Sequence, residues 1–333
     1  MRAAVIGAGS FGTALSFILG SKGIEVRLWD RQPDVCAGIN ETHRNPRYLS
    51  EALLPATVRA TDSLAEALEG AEIVVGATPS QFAREVFDRA RPHLPRDVPI
   101  VSAAKGIEEE SLLTPTEVLE DVLEPHYHPY LAVLSGPSFA REIVEGAPTA
   151  VTVAATWSRV AAQVQEAFSA PTFRCYTSTD VIGVQLGAAL KNVMAIGSGI
   201  VDGLRFGHNA RAALITRGLA EMTRMAVARG ANPMTLMGLA GMGDLVLTCT
   251  GELSRNRTVG YELGRGRKLP DILASLGQVA EGVKTARSGL ALARRLGVEA
   301  PITEQVHAIL YEDKDPRQAV VELMSRDPKP ELR

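Results

Sequence analysis

The chain has 333 residues, more than one ordinary core accommodates, so two domains are expected. Its 46% hydrophobic and 22% charged residues fit a globular protein, and a net charge of −3 excludes a generally basic nucleic-acid binder. Three widely spaced cysteines, Cys36, Cys175 and Cys249, build no disulfide framework and point to a reducing cytoplasm. No run of about 20 apolar residues predicts a membrane span. Glycines break the apolar N-terminus in a way that argues against a signal peptide.

Arg2–Ile6 reads as a buried strand, followed at once by Gly7-Ala8-Gly9-Ser10-Phe11-Gly12 and a helix over Thr13–Leu19. On a strand-to-helix turn each glycine has a task. Gly7 permits the turn, Gly9 lets a pyrophosphate approach the backbone, and Gly12 lets the helix pack on the strand. The helix N-terminus then presents N–H donors to the anion. A second strand at Glu25–Trp29 ends in Asp30 and Arg31. Asp30 could accept hydrogen bonds from an adenosine ribose, whereas Arg31 could pair with a 2′-phosphate. The two residues pull apart NAD and NADP and leave the choice open.

Residues 38–62 read as irregular, with Asn45-Pro46 and Pro55 as breakers, and Asp62-Ser63 caps a helix through Leu68. Further strands are predicted at Glu72–Ala77, Pro99–Ser102 and Leu131–Leu134, alternating with helices at Gln81–Arg91 and Thr116–Leu123. Such alternation implies a parallel sheet with ligands at the carboxyl ends of its strands. The glycine loop, Thr78-Pro79, Lys105-Gly106 and Ser135-Gly136-Pro137-Ser138 all fall on that rim. Residues 149–155 and 172–176 read as strands around a helix at about 158–168. From Thr179 the pattern turns helical. Long helices are predicted over Asp180–Val201 and Asn209–Arg229, then a Gly-rich loop at Gly238–Asp244. Shorter helices follow near 255–263, 270–276, 283–296, 303–310 and 316–324, with a polar tail from Arg326.

Among seven lysines, Lys105 sits at a strand end and Lys191 inside a long apolar helix. A lysine there is costly unless paired or used; burial and a nearby like charge favour the neutral amine, which can act as a base. The alternative is a stem on the core with its head in solvent. Ser254, Arg255 and Asn256 at a helix start offer a charged fork and neutral donors to a phosphate, or merely cap the helix. Asp244 could orient a lysine, bind a substrate hydroxyl, or cap the helix that follows. His126 and His128 have no third metal partner, and Cys249 has no activating neighbour, so no metal site and no reactive thiol are expected.

Six segments then stand in a recognisable order: Gly-Ala-Gly-Ser-Phe-Gly-Thr-Ala-Leu at 7–15, Ala-Lys-Gly-Ile-Glu at 104–108, Ser-Gly-Pro-Ser-Phe-Ala at 135–140, Leu-Lys-Asn at 190–192, Gly-Met-Gly-Asp-Leu at 241–245 and Ser-Arg-Asn-Arg at 254–257. The chain resembles the bacterial NAD(P)-dependent sn-glycerol-3-phosphate dehydrogenases over nearly its whole length. The resemblance implies an α/β fold: an N-terminal Rossmann-like doubly wound sheet (1–179) and a C-terminal all-α substrate domain (180–333) in a cytoplasmic homodimer. It implies that NAD or NADP contacts Ser10, Phe11, Arg31, Lys105, Ala140, Arg255 and Val279-Ala280-Glu281 beside the glycine loop. Glycerol 3-phosphate would meet Lys105, Gly136, Ser138, Lys191, Asp244, Ser254, Arg255 and Asn256, with Lys191 as the general base and Lys105 and Asp244 beside it. The family's product feeds phospholipid synthesis. Two other readings are a β-hydroxy-acid dehydrogenase of similar layout, whose substrate has no phosphate, and a nucleotide-binding redox sensor, which has no need for the lysine pair.

Overall fold

A computed structural model describes residues 1–277, 279–328, 330 and 331. Its strands are β1 (Arg2–Ile6), β2 (Glu25–Trp29), β3 (Val58–Thr61), β4 (Ile73–Gly76), β5 (Ile100–Ser102), β6 (Leu131–Ser135), β7 (Thr149–Ala155) and β8 (Phe173–Ser178). They form one sheet in the order β3-β2-β1-β4-β5-β6-β7-β8. Ala3 through Ile6 are fully buried because helices cover both faces, which is why β1 is a continuous apolar run. Chain direction across the sheet reverses its winding between β1 and β4, which pair through Ile6 and Gly76. The crevice at that switch point is where such sheets take ligands.

Three expectations need correction here. Residues 38–62 are not irregular throughout: a helix spans Pro33–Thr42 and β3 follows at Val58–Thr61. Proline at the first helical position fits, and Val35, Cys36 and Ile39 form its buried face. The sheet is not wholly parallel either, because β7 runs antiparallel to β6. The link between them holds only the five-residue helix Ala140–Val144, which packs on the helix Ser10–Ser21 instead of crossing the sheet. The chain therefore re-enters from the end at which β6 finished. Third, the Gly-rich segment at 239–243 is a turn of π-helix, not a loop, leading directly into the helix Asp244–Thr250.

The helix Val181–Gly203 is the axis of the helical half and is buried at every position from Gly183 to Val201. Asp180 caps it by accepting from the Gly183 amide at 2.9 Å. By length and composition this helix could cross a membrane, which the sequence reading did not anticipate. Here the helices Gly207–Ala228, Asp244–Thr250, Arg255–Gly264 and Glu281–Leu296 pack around it. Leu186, Leu190, Ile196 and Ile200 are each buried in that core, contributing roughly 1.5–3 kcal/mol apiece. Ile107 and Leu112, from the segment after β5, belong to the same helical cluster. The polar tail is described as far as Glu331; Lys329, Leu332 and Arg333 lie outside the described residues.

Candidate active site

The glycine loop builds the first wall. Gly7 adopts φ +113°, a conformation side chains resist, and a Cβ on Gly12 would sit 1.9 Å from the Gly7 carbonyl. A Cβ on Gly9 would meet nothing within 4 Å: it would project into open space at the N-terminus of the helix Ser10–Ser21. That space is the cradle a pyrophosphate needs. It continues into a cavity of about 670 Å³ that runs from Asp30, Arg31 and Tyr48 past the loop to Lys191 and Asn256. Its size falls in the range of small-molecule sites.

The loop is held by two buried side chains. Asp30 accepts from the Ala8 amide at 3.1 Å with one carboxylate oxygen and from the Gln32 amide at 3.0 Å with the other. Asn45 donates to the Ala8 carbonyl at 2.8 Å and accepts from the Arg47 and Tyr48 amides. Both oxygens of Asp30 are thus engaged within the protein, whereas Arg31 is exposed on the cavity wall.

At the far end one carboxylate holds two lysines. Asp244, 1% exposed, accepts from Lys191 Nζ with Oδ1 and from Lys105 Nζ with Oδ2, both at 2.8 Å. Lys191 Nζ also donates to Thr248 Oγ1 at 2.7 Å, leaving its third position for the cavity. Lys105 Nζ reaches the Gly136 carbonyl at 3.0 Å and Ser138 Oγ at 3.3 Å, so its three protons are all accepted by protein atoms. It also lies 5.4 Å from the centre of the Phe11 ring. Burial pushes Lys191 down to about 8; Asp244 opposes that shift and the Lys105 charge adds to it. Burial alone would raise the Asp244 carboxyl, but Lys105 and Lys191 outweigh it and hold Asp244 below the usual carboxylate range. The array sets a buried amine with a lowered pKa beside a second lysine on the same carboxylate.

The helix Arg255–Gly264 brings up the remaining residues. Ser254 is its cap, accepting from the Arg257 amide at 3.2 Å, and its hydroxyl proton remains available to a ligand. Arg255 and Asn256 line the cavity with it. This helix meets Val181–Gly203 at backbone contact. A Cβ on Gly199 would fall 2.0 Å from the Arg257 carbonyl, and one on Gly260 would fall 1.9 Å from the Ile196 carbonyl. That approach fixes the spacing between Lys191 and the Ser254–Asn256 end.

The predicted residues converge on one cavity. Gly7, Gly9, Ser10, Phe11, Arg31, Lys105, Ser138, Ala140, Lys191, Ser254, Arg255, Asn256, Val279 and Glu281 line it. Gly12, Gly136 and Asp244 stand one layer behind: Gly12 under the loop, the other two as acceptors for Lys105. Sequence reasoning missed Thr248, whose signal was its position four residues after Asp244, on the same helix face. It also missed Asn192, which stands beside Lys191, and Asn45, which carried no signal beyond its proline neighbour. Cys249 is buried and its thiol is pushed up to about 12, mainly by burial, in keeping with an unreactive side chain.

Comparison with known proteins gives this arrangement its lineage. Residues 2–161 match the family model described as the NAD-dependent glycerol-3-phosphate dehydrogenase N-terminus, and residues 180–321 match the corresponding C-terminus. A glycerol-3-phosphate dehydrogenase [NAD(P)+] of Myxococcus xanthus is 61% identical, covering 100% of this chain and 99% of its own. That of Anaeromyxobacter dehalogenans is 58% identical, with 100% of each chain covered. The crystal structure of the Coxiella burnetii glycerol-3-phosphate dehydrogenase superposes with a TM-score of 0.92 at 41% identity, covering 98% of this chain and 99% of that one. The chain belongs to the NAD-dependent glycerol-3-phosphate dehydrogenase family.

Proposed function

We propose that Lys191 is the proton carrier, Lys105 the fixed charge and Ser254-Arg255-Asn256 the phosphate grip of this enzyme. The activity they serve is the NAD(P)-dependent interconversion of sn-glycerol 3-phosphate and dihydroxyacetone phosphate. The observation that carries the assignment is one buried carboxylate, Asp244, holding two lysines at the far end of the cavity that the glycine loop lines. A dinucleotide held along the glycine loop, Phe11 and Ala140 would supply the hydride acceptor for C2 in oxidation and the hydride donor in reduction. In oxidation the neutral Lys191 amine takes the C2 hydroxyl proton as the C2–H bond breaks. In reduction the Lys191 ammonium protonates the oxygen that becomes the alcohol. Such acid–base help contributes on the order of 10²–10⁴-fold. Lys105 stabilises negative charge developing on that oxygen; the Ser138 hydroxyl, its most distant partner, is the one a substrate oxygen would displace. Arg255 and its neighbours hold the phosphate and so fix C2.

At the adenosine end, the engaged carboxylate of Asp30 and the exposed guanidinium of Arg31 favour a ligand bearing a 2′-phosphate. NADPH is therefore the preferred reductant in this reading. Residues 1–179 form its dinucleotide domain and 180–333 its substrate domain. A cytoplasmic homodimer supplying glycerol 3-phosphate to phospholipid synthesis completes the reading, on the strength of the family and of three buried, unpaired cysteines. The test is dihydroxyacetone-phosphate-dependent oxidation of NADPH and of NADH. Lys191→Ala should lose at least 100-fold in kcat; near wild-type turnover would remove Lys191 from its role. Inorganic phosphate should compete with the substrate, and sedimentation should give twice the chain mass.

A further inference from the structure

The turn that follows β6 is fixed at both ends against the sheet. Gly136 adopts φ +151°, and a Cβ there would fall 2.8 Å from Val151 Cα, so the turn is pressed against β7. At its other end Phe139 precedes the helix Ala140–Val144, and its carbonyl accepts from the Ile143 amide at 3.1 Å. Ile143 is buried in the core beneath the sheet. Between these anchors stand Pro137, Ser138 and Phe139, and only Ser138 has a part in the chemistry above.

Both neighbours of Ser138 reach across to the helical half. Pro137 lies against Gly243, where a Cβ would be 3.6 Å from the proline ring. Phe139 lies against Gly251, where a Cβ would be 2.5 Å from the phenyl ring. Gly243 and Gly251 bracket the helix Asp244–Thr250, so the turn touches that helix at both ends. The two contacts differ in kind. A separation of 3.6 Å is ordinary van der Waals contact, and one of 2.5 Å is a clash. Gly251 has φ −75° and ψ 136°, a conformation open to any residue, so its backbone does not call for glycine. Two neighbours do: the Phe139 ring, and the Leu247 carbonyl, which a Cβ would approach to 2.8 Å.

Gly251 also joins the two working ends of the site. Its amide donates to the Leu247 carbonyl at 2.8 Å, and its carbonyl accepts from the Ser254 amide at 3.2 Å. Thr248, the acceptor for Lys191, stands three residues before it, and Ser254 three residues after it. We propose that Phe139 is a positioning residue: its ring, seated on Gly251, sets the separation between the proton carrier Lys191 and the phosphate grip that begins at Ser254. The substrate spans these two ends, whereas inorganic phosphate occupies only one. A Cβ on Gly251 must retreat about 1 Å to reach contact distance from the ring. A displacement of that size costs about 10²-fold in rate when it separates reacting groups. The inference rests on the site assignment proposed above.

The test compares kcat/KM for dihydroxyacetone phosphate with the inhibition constant of inorganic phosphate, in the full chain at saturating NADPH. Phe139 lines the cavity but Gly251 does not, so Gly251→Ala touches neither ligand. It should lower kcat/KM by about 10- to 100-fold while the phosphate constant changes less than about threefold. In Phe139→Ala, where the seat is empty, the same glycine change should cost at least about fivefold less than in the wild type. The Leu247 carbonyl is present in both backgrounds, so its share cancels in that ratio. Phe139→Ala alone should lower kcat/KM about fivefold or more, and Phe139→Leu, which refills the seat, should recover most of the loss. If Gly251→Ala does not fold, the two Phe139 variants carry the test with the same pair of readouts. Any of four results overturns the proposal: a Gly251→Ala cost that is equal with and without the ring, a phosphate constant that rises in step with the loss of kcat/KM, a Phe139→Ala enzyme with wild-type kcat/KM, or a Phe139→Leu enzyme no better than Phe139→Ala. Absence of dihydroxyacetone-phosphate reduction by the wild type, or of competition by phosphate, would instead overturn the site assignment, and the two failures are separable.

Discussion

Replacing Lys105 by glutamine removes a positive charge from beside Lys191 while leaving an amide to face Gly136 and Ser138. Both ammonium groups lie 2.8 Å from Asp244 on different oxygens, which puts them within about 8 Å of each other. At an effective dielectric of about 20 their repulsion is then about 2 kcal/mol, equivalent to roughly 1.5 pH units. The open cavity screens part of this, so about one unit should survive. The second consequence has the same sign: Asp244, no longer shared, stabilises the Lys191 ammonium more strongly. Lys191 titrates at about 8 with Lys105 present and should therefore move upward in Lys105→Gln. In the wild type, kcat/KM for glycerol 3-phosphate oxidation should rise tenfold per pH unit and flatten above pH 8, because the neutral amine is the base. For dihydroxyacetone phosphate reduction it should be flat below pH 8 and fall above it. In Lys105→Gln both breaks should move toward pH 9, whatever the loss in absolute rate. These profiles report the free enzyme. A break that stays near 8 or moves down would refute the idea that Lys105 depresses Lys191.

Asp244→Asn leaves the buried Lys191 and the half-buried Lys105 without their shared counter-charge. Urea unfolding at pH 7 should show a loss of about 3–5 kcal/mol. Much of it should return above pH 9, where Lys191 can fold neutral; a pH-independent loss would mean that the pair is not the cause. Gly260→Ala places a Cβ 1.9 Å from the Ile196 carbonyl and must separate the two helices. Thermal unfolding should report about 1–3 kcal/mol of destabilisation, and KM for dihydroxyacetone phosphate should rise more than KM for NADPH. Arg31→Ser should raise KM for NADPH tenfold or more while changing KM for NADH less than twofold. Asp30→Asn should weaken both cofactors together, because it loosens the loop that both use; selective gain or loss of NADH would restore Asp30 as a ribose ligand.

Much of this was legible in the sequence because the relevant constraints are local. Gly7, Gly9 and Gly12 are read from spacing alone. Lys191 stands out because its neighbours along the helix are apolar, and burial of its whole helix was the reason. The parallel pairing of β1, β2, β4, β5 and β6 follows from alternation. The omissions have physical causes too. β3 is four residues long with an exposed Arg59 inside it, and Pro46 and Pro55 beside it read as breakers. The direction of β7 depends on where a short helix packs, which no local pattern encodes. Asn256 was read as a donor to phosphate, and nothing in Ser254-Arg255-Asn256 reveals that its amide also bridges Asn192 and Gly282.

Asp30 shows how a motif residue can also serve the protein's own backbone. An acid some 20 residues past the glycines is ordinarily a reason to expect a ribose hydroxyl and hence NAD. That inference assumes the carboxylate faces the ligand. Here Ala8 turns its amide toward β2, and Asp30 closes on it from the strand end. The carboxylate thus braces the glycine loop from behind its Ala8 amide, and the exposed Arg31 stands next to it on the cavity wall. Asn45 completes the arrangement by donating to the Ala8 carbonyl, so both backbone polar groups of Ala8 are held by buried side chains.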